Sequence, residues 1–260
     1  MDRKRYWNEE YTKYWAKVTE DANKIGSDKT SIKKTTEGDY KSVGDQVADA
    51  LFGELEYKKE DKLLDYGCGF GRFFNFFNSR VDYYGLDISE SMIKKCQETF
   101  PKNKDRFVIA EGEKCPFETE YFDKIICFGV FDACYQERAL QEMLRITKTG
   151  GHILFTGKNY WYMDDDEQAY IAEEAARRKG HPNYFTNVES MLNQLEDCIT
   201  IEMQRYFVRR GDFGKDLYVT NKPERFYEYA LIIKKEKNLE NNLEHFADEY
   251  SKTWMSKSHD

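Results

Sequence analysis

Leu63-Leu64-Asp65-Tyr66-Gly67-Cys68-Gly69-Phe70-Gly71-Arg72 is the stretch that decides how the rest of the chain is read. Two apolar residues and an acid close a buried strand, and glycines then take every second position. Alternating glycines let the backbone turn tightly and approach a bound molecule without Cβ interference. The run from Arg72 to Asn78 can start a helix whose free N–H groups face the same spot. This is the chemistry of a cofactor loop. A dinucleotide fingerprint needs G-x-G-x-x-G, but Arg72 stands where its third glycine belongs, so the spacing is G-x-G-x-G.

Outward from the loop, strand and helix patterns alternate. Strands are expected over 62–66, 81–87, 106–110, 124–128 and 152–156, the last entered by a turn at Gly150-Gly151. Helical faces are read from Val43, Val47, Leu51 and Leu55, and from Met92, Ile93, Cys96 and Phe100. A third lies over 138–146. Ser42 with Asp45, and Thr186-Asn187-Val188-Glu189, read as capping boxes, the second opening a helix to Leu195. Two strands, 199–208 and 226–234, close the pattern. The expected fold is α/β, a doubly wound, mostly parallel seven-stranded sheet.

Three segments frame it: an N-terminal helix and loop over 1–41, a domain over 42–235 with an irregular insert at 158–185, and a charged tail over 236–260. Trp7, Tyr11, Tyr14, Trp15 and Val18 keep helical spacing, with Asn8 as N-cap. Leu239, Leu243, Phe246, Tyr250 and Trp254 do the same in the tail, which is therefore expected to be helical. Asp248-Glu249-Tyr250-Ser251-Lys252-Thr253-Trp254 also echoes Glu9-Glu10-Tyr11-Thr12-Lys13-Tyr14-Trp15. A homodimer through these lid or tail helices is one reading of the echo.

Composition narrows the partners. The net charge of −8 opposes nucleic acid and anionic membrane. No apolar run approaches the ~20 residues of a membrane span. Six cysteines form no C-x-x-C pair, and the four histidines have no metal-ligand spacing, so no metal is expected. A reduced cytoplasm is the simplest compartment.

The loop, with an acid two residues before its first glycine, resembles the first motif of the class I S-adenosylmethionine (SAM)-dependent methyltransferases. Three later features fall at that family's distances. Asp87 closes the second strand 22 positions after Asp65, in Tyr84-Gly85-Leu86-Asp87-Ile88-Ser89. Ala110-Glu111-Gly112-Glu113-Lys114-Cys115-Pro116-Phe117 resembles the acid-small-x-x-L-P-F stretch, with Glu-Gly for the commoner Asp-Ala and Cys115 for Leu. Tyr121-Phe122-Asp123-Lys124-Ile125 and Gly150-Gly151-His152-Ile153-Leu154 resemble the segments of strands four and five.

The resemblance implies that SAM is bound, and S-adenosylhomocysteine left as product, by Asp65, Gly67, Cys68, Gly69, Gly71, Ile88, Met92 and Phe128. It implies Asp87 at the ribose hydroxyls, Glu111 at the adenine amino group and Gly112 at the ring edge. Tyr11, Tyr14, Trp15 and Lys158 would face substrate or form a lid. For an acceptor base the carboxyl ends of the strands offer Asp132, and the segment beyond offers Tyr160 and His181. A helix cap for Asp132 and an exposed turn for His181 are equally open. The implied activity is O-methylation of a small hydroxylated molecule, such as a sugar or a phosphorylated acceptor. N-methylation of a small amine, or a non-catalytic SAM-binding subunit, are the alternatives.

Overall fold

A computed structural model describes residues 3–13 and 43–257, with side chains of 10 and 43–47 excepted. The chain divides into two compact units, residues 1–116 and 117–260. Seven strands, in spatial order Phe107–Ile109, Asp82–Asp87, Lys62–Tyr66, Phe122–Cys127, Thr147–Lys158, Glu228–Lys235 and Ile199–Phe207, form one sheet, mostly parallel and flanked by helices.

The first unit holds β1 (Lys62–Tyr66), β2 (Asp82–Asp87) and β3 (Phe107–Ile109), all parallel, with Asp65 opposite Gly85 and Asp87 opposite Ile109. Four successive residues of β1 are buried, as in a strand covered on both faces. The helix Glu90–Thr99 buries Met92, Ile93 and Cys96, and Ser89 caps it by accepting from the Met92 N–H at 3.4 Å. The helix expected after Arg72 is one turn, Phe74–Phe77. Phe52 packs edge to face on Phe73, the residue before this helix, at 4.8 Å and at a tilt on Phe77 at 5.0 Å.

The second unit holds β4 (Phe122–Cys127), β5 (Thr147–Lys158), β7 (Ile199–Phe207) and β8 (Glu228–Lys235). β4 and β5 are parallel, while β8 runs antiparallel to both β5 and β7. The helix Gln136–Ile146 buries Ala139, Leu140, Met143 and Leu144.

Four expectations are corrected here. Gly150-Gly151 is no turn into β5 but part of that strand. Between Phe122 and Lys124 the β5 partner jumps from Thr147 to His152, so the glycines sit in a bulge. A Cβ on Gly151 would come within 2.8 Å of the Asp123 carbonyl. Second, the helix Val188–Leu195 is capped by Asn187, whose Oδ1 accepts from the Ser190 N–H at 3.1 Å. Thr186 instead lies in a short strand, β6 (Phe185–Thr186), its hydroxyl on Gln136 at 2.8 Å.

Third, among its described residues the tail is helical only over Lys252–Lys257. Ahead of it β9 (Ala247–Asp248) pairs antiparallel with β6, so helical spacing at Leu239, Leu243 and Phe246 was outweighed by strand pairing and packing. Fourth, Asn8 does not cap a helix: it lies within the π-helical turn Tyr6–Tyr11, which continues the α-helical turn Arg3–Arg5. Ser42, Tyr14, Trp15 and Val18 lie outside the described residues. The echo between residues 9–15 and 248–254 joins a π-helical turn to a strand end and a helix start; of its described pairs, Lys13 and Lys252 are both helical.

Candidate active site

In the first unit the glycine loop is shaped for a ligand. Gly67, Gly69 and Gly71 have φ of 84°, 53° and 73°, a left-handed conformation that side-chain-bearing residues rarely adopt. The N–H groups of Gly67 and Cys68 both donate to the Leu86 carbonyl, at 2.7 and 3.0 Å, which ties the loop to the end of β2. A Cβ on Gly69 would meet only the Met92 sulfur, at 3.8 Å, so the backbone here is open to a close approach.

Asp87 completes the tie. Its Oδ2 accepts from the Gly69 N–H at 2.9 Å and its Oδ1 from the Ser89 N–H at 2.8 Å. Each oxygen retains lone-pair capacity for a further donor. Burial raises its pKa, and the hydrogen bonds from Ser89 and Gly69 oppose that rise. Asp65 is buried beneath the loop and accepts from the Tyr83 hydroxyl at 2.6 Å. Burial outweighs that bond and pushes Asp65 up to about 7. Its side chain thereby ties β1 to β2 just ahead of the loop.

Glu111 is exposed and precedes the 3₁₀ turn Gly112–Lys114. At Gly112 a Cβ would fall 2.1 Å from the Tyr66 hydroxyl oxygen. Tyr66, the variable position of the loop motif, fills the space a methyl group would need, which explains glycine where the family has alanine. Cys115, in the place of the usual leucine, is buried and donates its thiol hydrogen to the Gly112 carbonyl at 3.0 Å.

The N-terminal segment is fastened to this region. Arg3 and Glu113 pair through both guanidinium nitrogens, Nη2 to Oε2 at 2.7 Å. The Asn8 Oδ1 accepts from the Ser89 hydroxyl at 3.2 Å, and Thr12 meets the Ser91 hydroxyl at 3.1 Å. Tyr6 is buried, while Trp7 and Tyr11 meet edge to face at 4.5 Å.

A polar cluster marks the second unit. Lys158 ends β5, and its Nζ donates to Asp132 Oδ2 and Asn183 Oδ1, each at 2.8 Å. Burial disfavours both charges, but their mutual attraction wins, holding Asp132 below the carboxylate range and Lys158 above its ordinary value. His181, on the turn after the helix Glu167–Arg178, feels both charges, and burial pulls its pKa down. Glu228 joins the group as the first residue of β8, directly opposite Lys158. Burial raises it to about 7, against the nearby Lys158 charge. Phe128, half-buried at the end of β4, packs on Phe213 at 5.7 Å. Among the described residues no three of His, Cys, Asp and Glu converge as metal ligands would.

A methyltransferase-domain family matches residues 64–155. An uncharacterized protein of Methanocaldococcus jannaschii is 35% identical over 123 residues, 47% of either chain. The malonyl-[acyl-carrier protein] O-methyltransferase of Salmonella typhimurium is 27% identical over 154 residues, 58% of this chain and 59% of that one. A putative methyltransferase structure from Bacillus halodurans superposes with a TM-score of 0.55 at 19% identity, over 75% of this chain and all of that one. The chain carries a class I SAM-dependent methyltransferase domain. It spans about half or less of the length of the curated relatives first matched, whose names include both O- and C-methyltransferases.

Most of the positions read from the sequence fall into two groups, one in each unit. Asp65, Gly67, Cys68, Gly69, Gly71, Asp87, Ile88, Met92, Glu111 and Gly112 all lie on or beside the loop in the first unit. Asp132, Lys158 and His181 are brought together in the second. Tyr160 is not: its hydroxyl donates to Asp248 at 2.5 Å, and its backbone bonds Thr186 and Lys252. It ties the insert to the tail. Sequence reading missed Asn183 and Glu228. Glu228 was absorbed into an apolar strand, though an acid beside Tyr227 at the opening of a buried strand is itself a signal.

Proposed function

We propose that the protein is a SAM-dependent methyltransferase acting on a hydroxyl of a small molecule. The Gly67–Gly71 loop and Asp87 would hold the cofactor, with Ile88, Met92, Glu111 and Gly112 around it; the open backbone over Gly69 fits such a group. When bound, SAM supplies an already activated methyl group, leaving the protein to align, desolvate and move one proton. The observation that carries the acceptor class is the half-buried Lys158, held by Asp132 and Asn183 with Glu228 opposite it. A cation with a donor to spare and a carboxyl group facing it match a hydroxyl, which both accepts and donates. An ammonium only donates, and would meet the Lys158 charge.

Asp132 then acts by position, fixing the Lys158 ammonium. Alignment of this kind can contribute about 7–11 kcal/mol to catalysis. Transfer of labelled methyl from SAM into a panel of phenols, sugar phosphates, nucleotide sugars and amines tests the proposal. Label in hydroxylated compounds supports it. Label confined to amines, or in none of the panel, contradicts it.

A further inference from the structure

Resting on that reading, one side chain narrows the acceptor further. Lys158 on β5 and Phe207 on β7 are the two cross-strand partners of Glu228 on β8. Directly opposed residues of antiparallel strands project to the same face, with Cβ atoms about 5 Å apart. The ammonium, the carboxyl group and the phenyl ring therefore stand in a row. The row continues in rings: Phe207 packs on Phe213 at 4.8 Å, and Phe213 on Phe128 at 5.7 Å.

Glu228 differs from the other acids of the cluster. Asp132 is neutralised by Lys158, and buried Asp166 is spent accepting from the Ala169 and Arg210 N–H groups, at 3.1 and 2.7 Å. Lys158, Asp132, Arg210 and Asp166 reach Glu228 as charges, and none of them as a hydrogen bond. Lys158 has used two of its three N–H donors. One Lys158 donor and the Glu228 carboxyl group are thus left on the same face of the sheet, at the end of the row of rings.

We propose that Glu228 is the general base of the reaction and that the acceptor is a phenol-class hydroxyl, its ring against the half-buried Phe213 and Phe128. The acceptor oxygen takes a hydrogen bond from Lys158 and presents its O–H to Glu228. As the oxygen gains the methyl group its O–H bond breaks toward Glu228, and the S–C electron pair stays on the departing sulfur. Glu228 leaves the step as a carboxylic acid and returns the proton to water. The burial that lifts Glu228 to about 7 suits it to that exchange near neutral pH.

The test compares wild type with E228Q in three measurements. Calorimetry with SAM is expected to be the same for both. Methyl transfer to a series from phenol to 4-nitrophenol, whose hydroxyl is already partly ionised near neutrality, is expected to fall in E228Q. The loss should be about 10²–10³-fold for phenol and under about tenfold for 4-nitrophenol. In glutamate-¹³C-labelled protein one carboxyl resonance, missing in E228Q, should titrate near neutrality and shift on adding 4-nitrophenol. An equal loss across the series, an E228Q variant as active as wild type, or a Glu228 resonance that ignores 4-nitrophenol overturns the proposal. So does SAM binding by wild type without transfer to any phenol. Failure of wild type to bind SAM overturns the underlying methyltransferase reading instead.

Discussion

Asp65 makes a residue-scale prediction whose sign is fixed. Its pKa lies near 7 in the folded chain and near the ordinary 3.8 when unfolded. Between those values the native state holds a proton that the unfolded state releases, so stability falls as pH rises from about 4 to about 7. Asp65→Asn removes that slope and leaves an acceptor for Tyr83. Chemical denaturation across pH should find the variant about 4 kcal/mol the more stable above neutrality and little different near pH 4. An unchanged slope contradicts the account. At Gly112 the crowding against Tyr66 predicts that Gly112→Ala costs about 1–3 kcal/mol and weakens SAM binding; calorimetry and denaturation check both. These two positions also show what a sequence can tell. The family resemblance located Gly112, but only the structure revealed why alanine is barred there.

At the scale of elements, the segments flanking the sheet depart furthest from expectation. The tail grips the insert through side chains distant in sequence. The Arg177 guanidinium lies 3.5 Å from the centroids of both Tyr250 and Trp254. Glu173 accepts from Tyr162 at 2.7 Å and Ser251 at 3.1 Å. A desolvated cation over two rings is worth about 2 kcal/mol or more. Arg177→Ala should therefore lower stability by roughly that amount and speed amide exchange in β9, while SAM binding in the first unit is retained. Exchange in β9 unaltered by the substitution would show that the tail is held otherwise. Strands β1 to β5 and their helices were legible because each pattern is local: an apolar run, a glycine, a cap. The tail was not, because β9 has only β6 to define it, and helical periodicity says nothing of a partner some sixty positions away.

For the whole molecule, the doubly wound sheet and the glycine loop were legible from alternation and four spaced motifs, whereas the polar cluster of the second unit was not. Asp132, Lys158, Asn183 and Glu228 come from four separate stretches, and no spacing links them. Net charge is the remaining molecular property that sequence makes readable. At −8 it predicts no salt-sensitive retention of tRNA in filter binding at physiological ionic strength, and retention that falls steeply with added salt would contradict this. Described residues include no helix long and apolar enough to cross a membrane. The central claim is that Gly67–Gly71 and Asp87 form a SAM cradle, and titration calorimetry tests it most directly. One equivalent of SAM should bind wild-type protein at micromolar concentration. Asp87→Ala, which frees the Gly69 and Ser89 N–H groups, should weaken binding at least about tenfold. Absence of binding by wild type at high micromolar SAM, or equal binding by the variant, would contradict it.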